Sequence, residues 1–183
     1  MATSQAPVKS TTWKIDPNHS NVEFAVKHLM ITTVKGRFSD VEGDIVIADG
    51  DPSRSSVNTT LKAASIDTRT GQRDDHLRSA DFLDAANFPE ITFKSTRITG
   101  EKSEFKLTGD LTIRGVTRPV TLDVTNEGAG KDPWGGERIS FSASTKLDRR
   151  DFGLTWNQAI EAGGVVVGND VKVSIDVQAV KQA

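Results

Sequence analysis
The chain has no cysteine. That single absence removes disulfides, thiolate metal sites and cysteine nucleophiles. It leaves the redox compartment open. Neither sign of charge dominates: the net charge is −2, with 26% charged residues of both signs interspersed. Such a surface sets up no general field for polyphosphates, so no nucleic-acid partner is expected. No apolar run reaches the roughly 18 residues of a transmembrane helix, so no integral membrane span is expected. The opening stretch MATSQAPVKSTTW lacks the apolar run of a secretory leader. As it stands the sequence points to the cytoplasm, and to the periplasm if a leader has been removed.

Catalytic motifs are missing as well. There is no H-E-x-x-H, no G-x-S-x-G elbow and no P-loop. The stretch DRRDFG, residues 148–153, looks kinase-like but has no Gly-rich loop, no H-R-D and no room for two lobes. Asp74, Asp75 and His76 are consecutive, and neighbours on a helix do not face one another, so neither a dyad nor a carboxylate pair follows. A metal site of His28, His76 and Asp75 competes with histidines that make structural hydrogen bonds. Because the set lacks metal spacing, no metal and no cofactor is expected. The third histidine, His19, has no ligand partner at such spacing.

What is present is period two. A chain of 183 residues suits one domain with a core of its own. Apolar residues alternate with polar ones over 20–28, 41–47, 103–113, 118–126, 139–147 and 170–180. Further runs at 55–66 and 90–98 bring the total to about eight, with a short one near Trp13–Asp16. Strict alternation means strands with one apolar and one wet face. Gly50-Asp51-Pro52, Gly115 and the loop 128–136 separate them. The helix signal covers roughly 71–79, a second short turn falls at 27–31, and residues 1–10 read as a loose tail before a domain over 11–183. The fold class is all-β: an antiparallel eight-stranded barrel with one or two short helices, or a packed sandwich on pattern alone.

In the barrel reading, the apolar register points Phe24, Val26, Phe93, Phe105, Leu107, Leu111, Ile113, Phe141, Phe152 and Leu154 into one lumen. His28 follows Val26 in the same register and reaches the barrel end. The stretch TGQRDDHLRSADFLDAANFPEITF, residues 70–93, joins a charged cluster to apolar and aromatic residues. Arg73, His76 and Arg78 then form a polar lip, and Phe82 and Phe88 an apolar throat. Arg150, beside Phe152, joins the lip. A planar guanidinium can grip a carboxylate or phosphate. The competing expectation pairs each arginine, Arg149 included, with a local aspartate.

Several blocks in order resemble the YceI-like family of bacterial polyisoprenoid-binding proteins. They are WKIDPNHSNVEFAVKH (13–28), VKGRFSDVEGDI (34–45), the stretch 73–93, GDLTIRGVTRPVTL (109–122) and DRRDFGL (148–154). The resemblance covers nearly the whole chain. It implies a lipocalin-like barrel whose lumen holds an isoprenoid chain, such as a prenyl phosphate or quinone tail, for transport or storage. It implies no catalytic residue. A ligand-free structural or stress-response barrel and a lipid-modifying enzyme stay open. A homodimer is compatible with this fold, since a partner can cover an open edge or mouth.

Overall fold
Residues 7–160 and 163–183 are described in the computed structural model. Eleven strand segments among them form one antiparallel sheet. Six of the segments are halves of three broken strands. β1 (Ser10–Ile15) continues into β2 (Asn21–His28) past a 3-10 turn at Pro17–His19. β3 (Thr32–Phe38) continues into β4 (Val41–Ala48). β5 (Ser56–Lys62) continues into β6 (Ile66–Asp67) past a 3-10 turn at Ala63–Ser65. With β7 (Glu90–Gly100), β8 (Glu104–Ile113), β9 (Val116–Lys131), β10 (Glu137–Asp148) and β11 (Val167–Lys181), they make eight long strands in an up-and-down meander. The first strand closes on the last: Trp13 faces Lys181, Ile15 faces Ala179, and β2 continues the ladder from Asn21–Asp176 to His28–Val167. The sheet is therefore a closed barrel, and closure removes the exposed edges of an open sheet. No helix among the described residues is long and apolar enough to cross a membrane.

The alternation in sequence becomes inside and outside. On β8, Phe105, Leu107, Leu111 and Ile113 face inward, and Lys106 outside pairs with Asp123 of β9 at 2.6 Å. Where one residue too many would flip the register, a bulge absorbs it. On β7 the register shifts between Ser95 and Arg97, so Phe93 and Ile98 both point inward despite the odd spacing. The β8–β9 turn is Arg114-Gly115, both with positive φ (49° and 71°), which suits a tight two-residue hairpin.

Two sequence expectations are corrected, and one strand is not announced by alternation. Thr32–Phe38 is that strand: Gly36 sits in its inward register and blanks the apolar signal. The segment read as a loop from residue 128 is strand up to Lys131, because its glycines pair through backbone with β10. The turn read at 27–31 is only the tip of the β2–β3 hairpin, since β2 runs to His28. Of the tail expected at 1–10, residues 1–6 lie outside those described; the Lys9 carbonyl accepts from Asp49 N–H, and Ser10 already opens β1.

The single α-helix among the described residues, α1 (Gly71–Arg78), lies at one end of the barrel, where Arg73, His76 and Leu77 line the interior. The segment after it buries Phe82 and Leu83, and the 3-10 turn at Arg149–Phe152 buries Phe152 and then Leu154. These pack on Ile91, Leu107, Val120 and Leu122 as the main core. A second cluster of Trp13, Ile15, Ile45, Ile139 and Ala179 lies under the β1–β11 seam.

That seam is latched by one cation. Arg138 on β10 donates to Asp16 at 2.7 Å, to Gln178 of β11 at 2.9 Å and to Asp132 in the β9–β10 turn at 3.0 Å. Asp16 also caps the 3-10 turn through Asn18 N–H and accepts from His19. The Arg138 guanidinium, helped by His19, lowers the Asp16 carboxyl to about 2. The Asp16 side chain is 14% exposed, so solvent screens the latch only in part. Its folded pKa lies below the unfolded value of about 3.9. The stabilisation is therefore complete above that value and lost as pH falls through about 2. Asp16→Asn keeps the cap and removes the charge. We expect it to lower stability by about 1–2 kcal/mol near neutrality. In urea titrations the gap to wild type should shrink steadily below about pH 4; a gap independent of pH would assign the loss to packing.

Candidate functional site
The inward faces of the strands do not fill the barrel. A cavity of about 730 Å³ runs along its axis. It reaches Ser53, Glu101 and Asn126 at the end where β1 begins and β11 finishes, and His28, His76 and Trp156 at the α1 end. All ten residues placed in the lumen by register line it: Phe24, Val26, Phe93, Phe105, Leu107, Leu111, Ile113, Phe141, Phe152 and Leu154. The space exists partly because two inward positions are glycine. A Cβ on Gly36 would collide with the Phe24 ring, and one on Gly109 would lie 2.5 Å from the Phe93 ring. Each phenylalanine thus lies flat over a glycine of the adjacent strand instead of projecting across the lumen.

The polar groups at the α1 end divide sharply. His28, Arg73 and His76 line the cavity; Arg78, Phe88 and Arg150 do not. Arg78 is turned to the carbonyls of Ala64 (2.8 Å) and Ile66 (3.1 Å) and to Asp75. It ties α1 to the strand β5–β6 and corrects its expected place on the lip. Phe88 lies against Gly115 in the β8–β9 turn, outside the throat. Arg150 grips Asp148, its Nη2 at 2.6 Å, on the outer surface, and holds that carboxyl down to about 2. Phe82, by contrast, lines the cavity as expected from the sequence.

The interior arginine is the neighbour of the one picked out from sequence. Arg149 is buried and lines the cavity. Its guanidinium donates to the carbonyls of Leu154 (2.7 Å), Gly168 (2.8 Å), Trp156 (2.9 Å) and Val167 (3.3 Å). No carboxylate among the described residues lies within ion-pair distance of it. Burial pushes its pKa down, Asp148 opposes that, and a guanidinium remains charged in any case. The signal lay in Asp148-Arg149-Arg150: Asp148 caps the turn through Arg150 N–H at 3.0 Å and keeps that arginine's side chain, which leaves Arg149 for the interior.

Arg73 donates to Thr68 Oγ1 and to the Thr68 carbonyl, both at 2.7 Å. Thr68 in turn donates to the buried Asp74. The His76 ring meets Trp156 and Phe82 edge-on, at centroid distances of 4.6 and 5.1 Å, and its Nε2 lies 2.9 Å from Asp81. Asp75 is exposed and turned to Arg78, so His28, His76 and Asp75 are not brought together. Among the described residues no group of three metal-ligating side chains is in reach of one ion. The α1 end is thus a positively charged, aromatic-walled pocket continuous with an apolar tube.

Known proteins share both sequence and architecture. The model of the YceI-like domain matches residues 13–179. Protein YceI of Salmonella newport is 40% identical over 172 residues, spanning 93% of this chain and 87% of that protein. The crystal structure of the YceI protein of Campylobacter jejuni superposes with a TM-score of 0.71 at 34% identity, over 86% of this chain and 90% of that one. BcnA of Burkholderia cenocepacia superposes with a TM-score of 0.78 at 22% identity, over 90% of this chain and 98% of that one. A polyisoprenoid-binding domain from Saccharophagus degradans does so at 0.67 and 14% identity, over 96% and 100% of the two chains, and at that identity shows the fold alone. With a match over nearly its full length, and with the closed barrel and open lumen in place, this chain belongs to the YceI-like family.

Proposed function
We propose that the protein binds an isoprenoid lipid, with the tail along the lumen and the polar head at the α1 end, and serves as a carrier or store for it. The observation that carries this reading is the continuous apolar cavity along the barrel axis. A branched hydrocarbon chain fits such a tube without needing any directed contact. Each buried CH₂ contributes roughly 0.8 kcal/mol, so a long tail supplies most of the affinity. A quinone tail and a prenyl phosphate share that term. The buried charge of Arg149, with Arg73 beside the cavity, favours the phosphate, because an anion there would compensate a guanidinium that has only carbonyl partners. A filled, ligand-free barrel is disfavoured by the same cavity. The family likeness supports binding over catalysis.

Mass spectrometry of organic extracts from protein purified out of a bacterial host should find a co-purified prenyl lipid. Clean extracts, with no uptake of added prenol or prenyl phosphate, would leave the ligand-free barrel ahead.

Head and tail recognition should separate on mutation. Phe105→Asp puts a carboxylate into the apolar tube and should abolish binding of prenyl phosphate and of the matching prenol alike, with the thermal melt used to confirm folding. Arg73→Ala should weaken the phosphate about tenfold or more, as expected for a charge-assisted bond worth roughly 1.5–3 kcal/mol, and leave the prenol unchanged. Arg150→Ala should alter neither. Equal losses for both ligands in the Arg73 variant would show that Arg73 only braces Thr68 and Asp74.

A further inference from the structure
From the β2–β3 hairpin we infer a docking point for an anionic lipid bilayer, seated at the rim of the cavity. Leu29, Met30 and Ile31 form the tip and are 37%, 57% and 79% exposed. They are consecutive, and among the described residues only Trp134, at the opposite end of the barrel, joins them as an exposed large hydrophobic side chain. Leu29 and Met30 both have positive φ, 53° and 63°, in a turn closed by Ile31 N–H to the His28 carbonyl. Such positions favour Asn and Gly, and bulky side chains there are strained. Met30 partly covers Gly164, yet more than half of it and most of Ile31 stay in water, at a cost in backbone strain. The tip is also continuous with the cavity: Val26, His28 and Val34 of the same hairpin line it, and Leu29 N–H bonds the carbonyl of Val166, another lining residue.

Charge behind the tip selects the partner. On the outer face Ala25 pairs with Lys35 on one side and Lys172 on the other, and Lys172 faces Lys146. Lys27 lies on the same face, one row nearer the tip. Like charges directly opposite one another destabilise a sheet, yet here Lys146 and Lys172 are so placed. Asp170 takes Lys146 at 3.7 Å and Asp148 takes Arg150. Glu23 lies a row further from the tip than Ala25. Among the described residues no carboxylate is within ion-pair distance of Lys27, Lys35 or Lys172. At about 3.3 Å per residue, Lys27 stands roughly 7 Å behind the tip and the lysine row roughly 13 Å. A tip sunk to the headgroup boundary brings Lys27 within one Debye length of the lipid phosphates, about 10 Å at moderate salt, and leaves the row at its fringe. An apolar wedge backed by lysines matches an anionic bilayer. The contact would place the cavity rim on the surface from which a lipid enters.

That last role, lipid exchange, rests on the lumen reading; bilayer contact does not. The test is flotation of the full chain with vesicles of phosphatidylcholine alone and of phosphatidylcholine with phosphatidylglycerol. Wild type should float with the phosphatidylglycerol vesicles and be released by salt. Lys27→Ala should weaken this about fivefold, and Lys35→Ala or Lys172→Ala by less. The variant Leu29→Asn, Met30→Gly, Ile31→Thr should lose flotation while melting at or above the wild-type temperature, since its turn residues tolerate positive φ. It should still bind prenol in solution if the lumen reading holds, so failure of either idea is seen separately. Wild type that stays off phosphatidylglycerol vesicles, or a tip variant that floats equally well, would overturn the proposal. So would a concentration-dependent dimer that the tip variant abolishes without any vesicle binding, which would make a second copy the occupant.

Discussion
Closure of the first strand onto the last is the constraint from which the rest follows. β11 has β10 along one side and needs both β1 and β2 along the other to satisfy its backbone. The short turn at Pro17–His19 lets one long strand bend while keeping the ladder on both sides of the break. Arg138 holds that bend to β11 and to the β9–β10 turn. Without closure, two rows of unpaired peptide groups and an apolar concave face would meet water. With it, the apolar faces of eight strands converge on one axis.

Convergence alone would permit a solid core. The lumen stays open because glycine stands where Phe24 and Phe93 need to lie flat, and because the bulky residues gather at the α1 end and under the β1–β11 seam. An apolar cavity leaves its lining without dispersion partners on one side. A ligand that fills it contributes those contacts and stabilises the folded state in proportion to its occupancy. Stability and ligand loading are thereby linked in this architecture.

The α1 end joins two kinds of order. Its carbonyl-bound Arg149 and the Arg73–Thr68–Asp74 chain are hydrogen-bond networks that hold positive charge beside an apolar tube. The β2–β3 hairpin next to them is the reverse, with apolar side chains outside and lysines behind. Charge within and grease without, side by side at one rim, suit the proposed exchange of an amphipathic lipid between bilayer and barrel.

The barrel class and most of the lumen were legible in the sequence, because alternation reports which side chains share a face: eight of the ten lumen residues sit on strands where that parity holds, while Phe152 and Leu154 reach the cavity from the 3-10 turn and the segment after it. Parity fails where a strand carries glycine in its inward register, as at Gly36, or where bonding is entirely backbone, as at residues 128–131. It also says nothing about short turns at barrel ends, where successive residues point in unrelated directions. For this reason Arg150 and Arg149 exchange places between expectation and structure, Arg78 leaves the lip and Phe88 leaves the throat. The sequence by itself determined the period of burial, and with it the sheet and the apolar interior. Only the tertiary structure decided which charged groups face that interior, because their direction is set by carbonyls and carboxylates that are distant in the chain and meet only when the barrel closes.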